Sequence, residues 1–322
     1  MNEETETRRL ITLRWLGGLV RGTYHIAQLK GPVTKHIGVL ILNSLSPSRA
    51  AAGDSAVYWA DAFARSGYPA FRLDMPGFGD SDGDPPHELL KFINTGGYGP
   101  IASALMRELS EQFDLSGVVV IGLCAGAVSA LYTAAASKDC RGLVLMDPYF
   151  HLPLPPRSWL WQKLTGRISR TALGRVVSNG YDRFTDLRLY LRRNPMPENA
   201  NFPLLRSWRT VARSGMPILL LKAPTTKPRG EEFDYVRYLL DQAGSNSRVI
   251  VRVVEGAGHT FSNRTGRAAV REAIAGWLGL YFPLSGYESC TTSREAVDPS
   301  TTFHAGPTTG GGNVDDKFIW TT

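Results

Sequence analysis

Short apolar runs alternate with longer stretches of helical periodicity along most of this chain. The apolar runs are rich in Val, Ile and Leu and are bounded by turn residues, as is typical of strands buried on both faces. We predict six such strands, at 36–42, 69–74, 117–123, 142–147, 217–222 and 248–255. The spacing between them predicts helices at about 54–66, 99–113, 126–137, 233–243 and 265–281. This alternation is typical of an α/β fold with a mainly parallel sheet flanked by helices.

The ends of the chain and one internal segment depart from this alternation. Residues 10–15 and 19–29 are expected to form an antiparallel hairpin before the first parallel strand. After the fourth strand, about sixty residues rich in Arg, Trp and Pro intervene, and an insertion of that length is typical of a lid. The final segment is rich in Ser, Thr and Gly and has no periodicity, which predicts a flexible tail. The predicted organisation is a core at 1–148 and 214–282, an inserted helical lid at 149–213 and a tail at 283–322.

The composition excludes several classes of protein. Hydrophobic residues make up 43% of the chain and charged residues 20%, which is typical of a globular protein and not of a disordered one. No uncharged apolar run reaches the roughly 18 residues of a spanning helix, and the acidic N-terminus is unlike a secretory signal. We therefore expect a cytoplasmic protein without stable membrane insertion. Three widely spaced cysteines, Cys124, Cys140 and Cys290, suit free thiols in a reducing compartment.

The peptide Gly-Leu-Cys-Ala-Gly at 122–126 is the strongest chemical signal. It follows a predicted strand and precedes an alanine-rich helix, which is the context of a nucleophile elbow. The nucleophile of such an elbow has a strained backbone, and small residues two positions before and after it let strand and helix approach. The helix N-terminus also favours the thiolate, which is the reactive form of cysteine. We predict that Cys124 is a nucleophile; the alternative is a buried structural cysteine.

A histidine in a glycine-rich segment is the expected partner of this cysteine. His259 lies in Gly-Ala-Gly-His-Thr-Phe at 256–261, after the last predicted strand and before the last helix. Of the six histidines, only this one has such a position. A nucleophile followed by a histidine near the end of the domain is the order that this kind of site needs. His259 is therefore the predicted general base.

The acid that would orient His259 is less evident. The loop after the strand at 217–222 is the usual position, but it has no carboxylate before Glu231 and Glu232. Asp147 ends the strand before it and points to the carboxyl edge of the sheet, where a site is expected. We predict Asp147 as the acid, with Glu231 or Glu232 as alternatives. A Cys–His dyad without a carboxylate is a further alternative, because a reactive thiol needs less help from an acid.

An oxyanion hole requires backbone amides that point at the developing charge. After a nucleophile elbow, one amide belongs to the following residue, here Ala125. The second is expected from the loop at 43–46, where we take Leu45 as the candidate.

Three segments in the same order resemble the α/β-hydrolase superfamily over about residues 30–282. They are the elbow, the segment around His259, and the segment 72–83, which is similar to the family's Asp-x-x-Gly-x-Gly-x-Ser loop. The resemblance implies an α/β-hydrolase fold with an inserted helical lid. It also implies an acid after the strand at 217–222, which this chain lacks.

Two narrower resemblances concern the cysteine. The Ser-Gly-Tyr-Pro at 66–69, the Gly-Leu-Cys turn and a segment with Trp159, Trp161 and Gly166 are similar to serine-aminopeptidase-like hydrolases associated with bacterial exosortase systems. The Gly-x-Cys-x-Gly pattern also resembles polyhydroxyalkanoate synthases and dienelactone hydrolase. The second resemblance implies acyl-enzyme chemistry through a thioester, resolved by water or by another nucleophile.

The net charge of +7 is concentrated in the predicted lid. Residues 151–213 contain twelve Lys or Arg against three acidic residues, interleaved with apolar residues at helical spacing. This predicts amphipathic helices, with Trp159 and Trp161 facing substrate and a basic face that includes Arg192 and Arg193. The basic face would suit coenzyme A, an acyl carrier protein or lipid headgroups. Nucleic acid is not predicted, because no reading motif accompanies the charge.

No cofactor or metal is predicted. The acidic run at 80–84 has Pro85 where a calcium loop needs glycine, and neither a dinucleotide fingerprint nor a phosphate loop occurs. The sequence thus favours a hydrolase of acyl esters or acyl thioesters acting on a small-molecule substrate. An acyltransferase or cyclising release enzyme with the same intermediate is the first alternative, and a non-catalytic ligand-binding protein is the second.

Overall fold

The computed structural model describes residues 6–15, 18–28, 36–42, 49–153, 196–224, 235–245 and 247–284. Within these ranges the strands are β1 (Arg8–Trp15), β2 (Gly18–His25), β3 (His36–Leu42), β4 (Ala70–Leu73), β5 (Leu115–Leu123), β6 (Cys140–Met146), β7 (Pro217–Lys222) and β8 (Arg248–Val253). The α-helices are α1 (Ser55–Arg65), α2 (Leu89–Asn94), α3 (Tyr98–Gln112), α4 (Ala125–Ala136), α5 (Phe202–Arg213), α6 (Tyr235–Ala243) and α7 (Arg264–Tyr281).

All eight strands form one sheet in the order β1-β2-β4-β3-β5-β6-β7-β8. β1 and β2 form the expected antiparallel hairpin, and β2 also pairs antiparallel with β4. The other pairs, from β4 through β3 to β8, are parallel. The predicted α/β class with a mainly parallel sheet is therefore confirmed. This arrangement brings the carboxyl ends of β5, β6, β7 and β8 to one edge in neighbouring positions.

The sheet separates two apolar layers. One face packs with α3, α4, α5 and α6, and the other packs with α1 and α7. Along β5, alternate residues go to opposite layers: Val118 and Val120 to the first, Val119 and Ile121 to the second, all without solvent exposure. Each such side chain contributes roughly 1.5–3 kcal/mol by burial. β5 is thus fixed from both sides, which holds the elbow at its end.

Helix α5 differs from the prediction that assigned its residues to the lid. Its buried residues recur at helical spacing and belong to the main core, and the Trp208 Nε1 donates to the Leu239 carbonyl at 2.9 Å. Asn201 caps the helix by accepting from the Leu204 amide at 3.1 Å. Arg206 and Arg209 lie on the exposed face. The amphipathic character was expected, but the apolar side packs in the main core against α4 and α6.

The rest of the predicted insertion, residues 154–195, lies outside the described residues, as does the predicted tail beyond residue 284. The domain division into core, lid and tail therefore stays a prediction. Among the helices described above, none combines the length and the apolar character needed to cross a bilayer.

Candidate active site

Cys124 lies in a tight turn between β5 and α4. Its φ of 54° and ψ of −115° are outside the regions that a non-glycine residue prefers, which costs on the order of 1–3 kcal/mol. A Cβ on Gly122 would lie 2.6 Å from the Ala127 Cα, so only glycine allows this approach of strand and helix. The Cys124 amide donates to the Met146 carbonyl of β6 at 2.9 Å. The turn therefore presents the thiol at the carboxyl edge of the sheet, as the elbow pattern predicted.

His259 reaches the same edge from the loop after β8. The Phe261 side chain is fully buried and its amide donates to the Gly258 carbonyl at 2.9 Å, which fixes the loop. The His259 Nδ1 lies 2.5 Å from the Asp147 Oδ2, and the ring also hydrogen-bonds the Cys124 side chain. Because Nδ1 faces Asp147, Nε2 is the nitrogen left for the thiol. The structure thus brings together Cys124, His259 and Asp147, the three residues that the sequence predicted.

The surroundings of His259 favour its protonated form. The hydrogen bond to Asp147, followed by the hydrogen bond to Cys124, raises the pKa of His259 to about 10 against the opposing effect of burial. The Asp147 side chain is only 1% exposed, whereas that of His259 is 41% exposed. An imidazolium between a buried carboxylate and a sulfur is therefore the favoured state at neutral pH.

Lys222 is a member of the site that the sequence prediction missed. It is the last residue of β7, and its Nζ lies 2.5 Å from the Asp147 Oδ1. The Asp147 amide donates to the Leu221 carbonyl at 2.7 Å, which joins the ends of β6 and β7. The sequence feature that could have indicated Lys222 is its position at the end of the otherwise apolar run Pro-Ile-Leu-Leu-Leu-Lys. It lies one position before the loop that was expected to carry an acid.

Tyr149 was also missed. It follows Asp147 by two residues, and its hydroxyl is buried and has no hydrogen-bond partner within the described ranges. Burial, and then the charge of Cys124, raise the pKa of Tyr149 to about 12, so the phenol keeps its proton. A buried, protonated phenol in the neighbourhood of Cys124 is a hydrogen-bond donor for an oxygen that enters the site.

Ala125 is the first residue of α4, so its amide belongs to the turn whose N–H groups have no acceptor inside the helix. It is therefore placed to serve as the predicted oxyanion donor. The second candidate, Leu45, lies outside the described residues. The same is true of Glu231 and Glu232, and of the predicted substrate contacts Trp159, Trp161, Arg192 and Arg193. Their roles stay predictions.

The segment 72–83 has a structural role near this edge. Asp74 is buried, accepts the Arg49 amide at 2.9 Å through Oδ1 and pairs with the Arg49 guanidinium through Oδ2. The Asp80 amide donates to the same Oδ2 at 3.2 Å, and the Asp80 carboxylate lies 2.7 Å from the Arg49 Nη1. Arg49 follows directly on 43–48, the stretch that contains the predicted second oxyanion amide. This cluster therefore holds the backbone at Arg49.

In the described part of the chain, no three His, Cys, Asp or Glu side chains are grouped as a metal site requires. The absence of a cofactor from the reaction remains a prediction from the sequence.

Comparisons with known proteins agree with this architecture. The family model described as the alpha/beta hydrolase family matches residues 45–273. A comparison with curated protein sequences finds no match.

Similar solved structures include an esterase of Pyrococcus furiosus, at 12% identity and a TM-score of 0.55, covering 85% of this chain and 91% of that one. Dienelactone hydrolase of Anabaena variabilis is similar at 13% identity and a TM-score of 0.53, covering 86% and 99%. An alpha-beta serine hydrolase homologue of Coxiella burnetii is similar at 14% identity and a TM-score of 0.52, covering 84% and 98%.

Proposed function

Because the chain belongs to the alpha/beta hydrolase family, we propose that it is a hydrolase of acyl esters or acyl thioesters with a covalent acyl-Cys124 intermediate. The observation that carries the proposal is the continuous line from Asp147 to the His259 Nδ1 and from the same ring to the Cys124 thiol. A nucleophile, a base and an orienting acid in one line are what acyl transfer requires.

The first half of the reaction forms a thioester. The Cys124 sulfur attacks the substrate carbonyl carbon while His259 holds the thiol proton, and the negative charge moves to the carbonyl oxygen. The Ala125 amide, a second amide from the loop at 43–46 and the Tyr149 hydroxyl are the donors proposed for that oxygen. When the intermediate collapses, the alcohol or thiol leaves with the proton from His259.

The second half releases the acid. His259, now neutral, takes a proton from water as the water oxygen attacks the thioester carbon. Collapse of this second intermediate frees the carboxylic acid and returns the proton to the His259–Cys124 pair. Each half consumes one bond to the acyl carbon and forms one, so no redox partner is needed.

A cysteine suits this histidine better than a serine would. Asp147 and then Cys124 raise the pKa of His259 to about 10, so part of this rise depends on the sulfur itself. A serine hydroxyl keeps its proton at neutral pH and would not form such an ion pair with the imidazolium. A thiol can transfer its proton in advance, and the N-terminus of α4 favours the resulting thiolate. The two enzymes named as an esterase and a dienelactone hydrolase further support ester chemistry on this fold.

The carrier of the acyl group is proposed from charge. Arg206 and Arg209 are exposed on α5, and the sequence adds the basic residues of 154–195. Coenzyme A or an acyl carrier protein, both anionic, is therefore the preferred carrier of the small-molecule acyl substrate. A cytoplasmic location fits such a substrate.

The proposal is tested by the hydrolysis of a p-nitrophenyl ester and of an acyl thioester by four proteins: the wild type, Cys124→Ala, Cys124→Ser and Cys140→Ala. Cys140 is the matched control, because it is a buried thiol whose burial raises its pKa to about 12. We expect loss of more than about 1,000-fold in Cys124→Ala, a large loss in Cys124→Ser and near-wild-type rates in Cys140→Ala. Undiminished hydrolysis by Cys124→Ala would contradict the proposal.

A further inference from the structure

Lys222 lies between the two strands whose ends carry the acid and the base. Its carbonyl accepts the Val254 amide at 2.8 Å on the side of β8, and the preceding carbonyl, that of Leu221, accepts the Asp147 amide on the side of β6. Its Nζ contacts the Asp147 Oδ1, while the His259 Nδ1 contacts Oδ2. The two carboxylate oxygens therefore have different cationic partners, one on each side.

This division of the oxygens has two physical consequences. A carboxylate that is 1% exposed is costly unless its charge is paired, and Lys222 supplies a partner that is itself 27% exposed and so remains hydrated. Binding at Oδ1 also opposes rotation of the carboxylate, so Oδ2 stays directed at His259. In addition, the ammonium charge offsets part of the carboxylate's field at the imidazole.

From this geometry we propose that Lys222 is a positioning residue of the site, which holds the Asp147 carboxylate in place. By partly neutralising the charge of Asp147, Lys222 also limits the basicity of His259. The inference rests on the proposed function, because it gives the Lys222–Asp147 pair a role in the acyl transfer assigned to Cys124. It also accounts for a cation at the end of β7, one position before the loop where the family pattern leads one to expect an acid.

The other charged and titratable groups around His259 act in known directions. Asp147 at the end of β6 and Cys124 at the elbow raise the pKa of His259, and the Tyr149 phenol is neutral. Replacement of Lys222 by Gln keeps a hydrogen-bond donor beside Asp147 and takes away a nearby cation. The pKa of His259 should therefore rise further, which keeps the imidazole protonated over a wider range of pH.

The direct test is an NMR titration of the His259 ring in ¹⁵N-histidine-labelled protein, with His259→Gln used for assignment. A Cys124→Ala background removes the contribution of the sulfur and brings the titration into a milder pH range. In that background, we expect Lys222→Met and Lys222→Gln to raise the pKa of His259 by about one unit. Lys222→Arg should leave it near the parent value, and Lys91→Met, at an exposed lysine paired with Glu88, should have no effect.

An unchanged His259 pKa in both Lys222→Met and Lys222→Gln would overturn the inference. Because Gln keeps a hydrogen-bond donor, it provides a folded variant if Met at this position prevents folding. The titration needs no substrate, so it gives its answer whether or not the protein hydrolyses acyl esters. Failure of the proposed function would instead appear as absent turnover in the wild type.

A kinetic cycle tests whether Lys222 acts through Asp147. With a thioester substrate, Lys222→Met should lower kcat about tenfold at pH 7 with KM changed less than about threefold, and Lys222→Arg should restore most of the rate. In an Asp147→Asn background the same replacement should have no further effect on kcat. Additive losses in the double variant, or a loss confined to KM, would mean that Lys222 acts on the substrate and would also overturn the inference.

Discussion

At the scale of single residues, the proton on His259 links the site to the stability of the protein. The folded-state pKa of about 10 lies above the value near 6.5 of a free histidine. Because the folded state binds the proton more tightly than the unfolded state, protonation of His259 stabilises the fold. This stabilisation is fully present below about pH 6.5 and is lost as the pH rises through about 10. The contacts with Asp147 and Cys124 thus stabilise the fold most when the imidazole is charged.

We therefore expect the free energy of unfolding of the wild type to fall between pH 6.5 and 10 more steeply than that of His259→Gln. Urea unfolding at a series of pH values measures this difference. His87→Gln, at an exposed loop histidine, is the control and should retain the wild-type slope. Equal slopes for the wild type and His259→Gln would be inconsistent with the contacts described for this imidazole.

At the scale of elements, the approach of β5 to α4 is what holds Cys124 in its strained turn. The Gly122→Ala replacement adds a methyl group 2.6 Å from the Ala127 Cα, so strand and helix must separate. We expect a loss of about 3 kcal/mol or more in the free energy of unfolding, measured by urea denaturation.

The matched control for that replacement is Gly276→Ala. Gly276 lies on the exposed face of α7 with open space where a Cβ would be. Alanine is favoured over glycine in a helix by about 0.5–1 kcal/mol, so this variant should be slightly more stable than the wild type. Similar effects of the two replacements would mean that the elbow is looser than described.

A buried polar cluster joins β2, β4 and α1. His25 has no solvent exposure; its Nδ1 lies 2.7 Å from Asp61, and its Nε2 accepts from the Arg72 Nε at 2.9 Å. Burial, and then the charge of Arg72, lower the pKa of His25 to about 4. The neutral form is therefore the one that the fold stabilises, and its contribution is present above about pH 6.5 and is lost as the pH falls through 4.

Acid unfolding tests this cluster. The wild type should lose up to about 3 kcal/mol of its free energy of unfolding through His25 between pH 6.5 and 4. In His25→Gln, the free energy of unfolding should fall by correspondingly less over this range. His87→Gln serves again as the exposed control. A wild-type slope in His25→Gln would contradict the assignment of a neutral imidazole to this position.

Local pattern predicted much of the fold at this scale. β3 and β7 have the bounds read from their apolar runs, because a strand buried on both faces has few polar residues to obscure its ends. Helix α5 was missed because its exposed arginines continue the basic composition of the preceding insertion. Local periodicity shows that a helix has an apolar side, but it does not show whether that side belongs to a lid or, as in α5, packs against other helices of the core.

The candidate site was predictable where its members have local signatures. Cys124 and His259 lie in small-residue turns that follow strands, and Asp147 follows directly on β6 at the expected edge. Lys222 and Tyr149 have no such signature. Their relation to the site depends on which strands are neighbours and on the depth of each side chain, and both are properties of the assembled sheet.

At the scale of the whole molecule, the uneven charge predicts how an anionic carrier would be recognised. With acyl-coenzyme A as substrate, we expect KM to rise several-fold between 50 and 500 mM salt, because added salt screens the basic residues of the segment 151–213. A neutral thioester with the same acyl group should have an unchanged KM. Charge reversal at Arg192 and Arg193 should remove the difference, and equal salt dependence for the two thioesters would exclude a role for this charge.

The central claim is that acyl transfer passes through the Cys124 sulfur. Its most direct test is rapid acid quenching of the protein with an acyl thioester during turnover, followed by intact-mass measurement and peptide mapping. We predict one added acyl group in the wild type, located on the peptide that contains Cys124, and none in Cys124→Ala. Turnover without any acyl-protein, or an acyl group on another residue such as Cys140, would contradict the account.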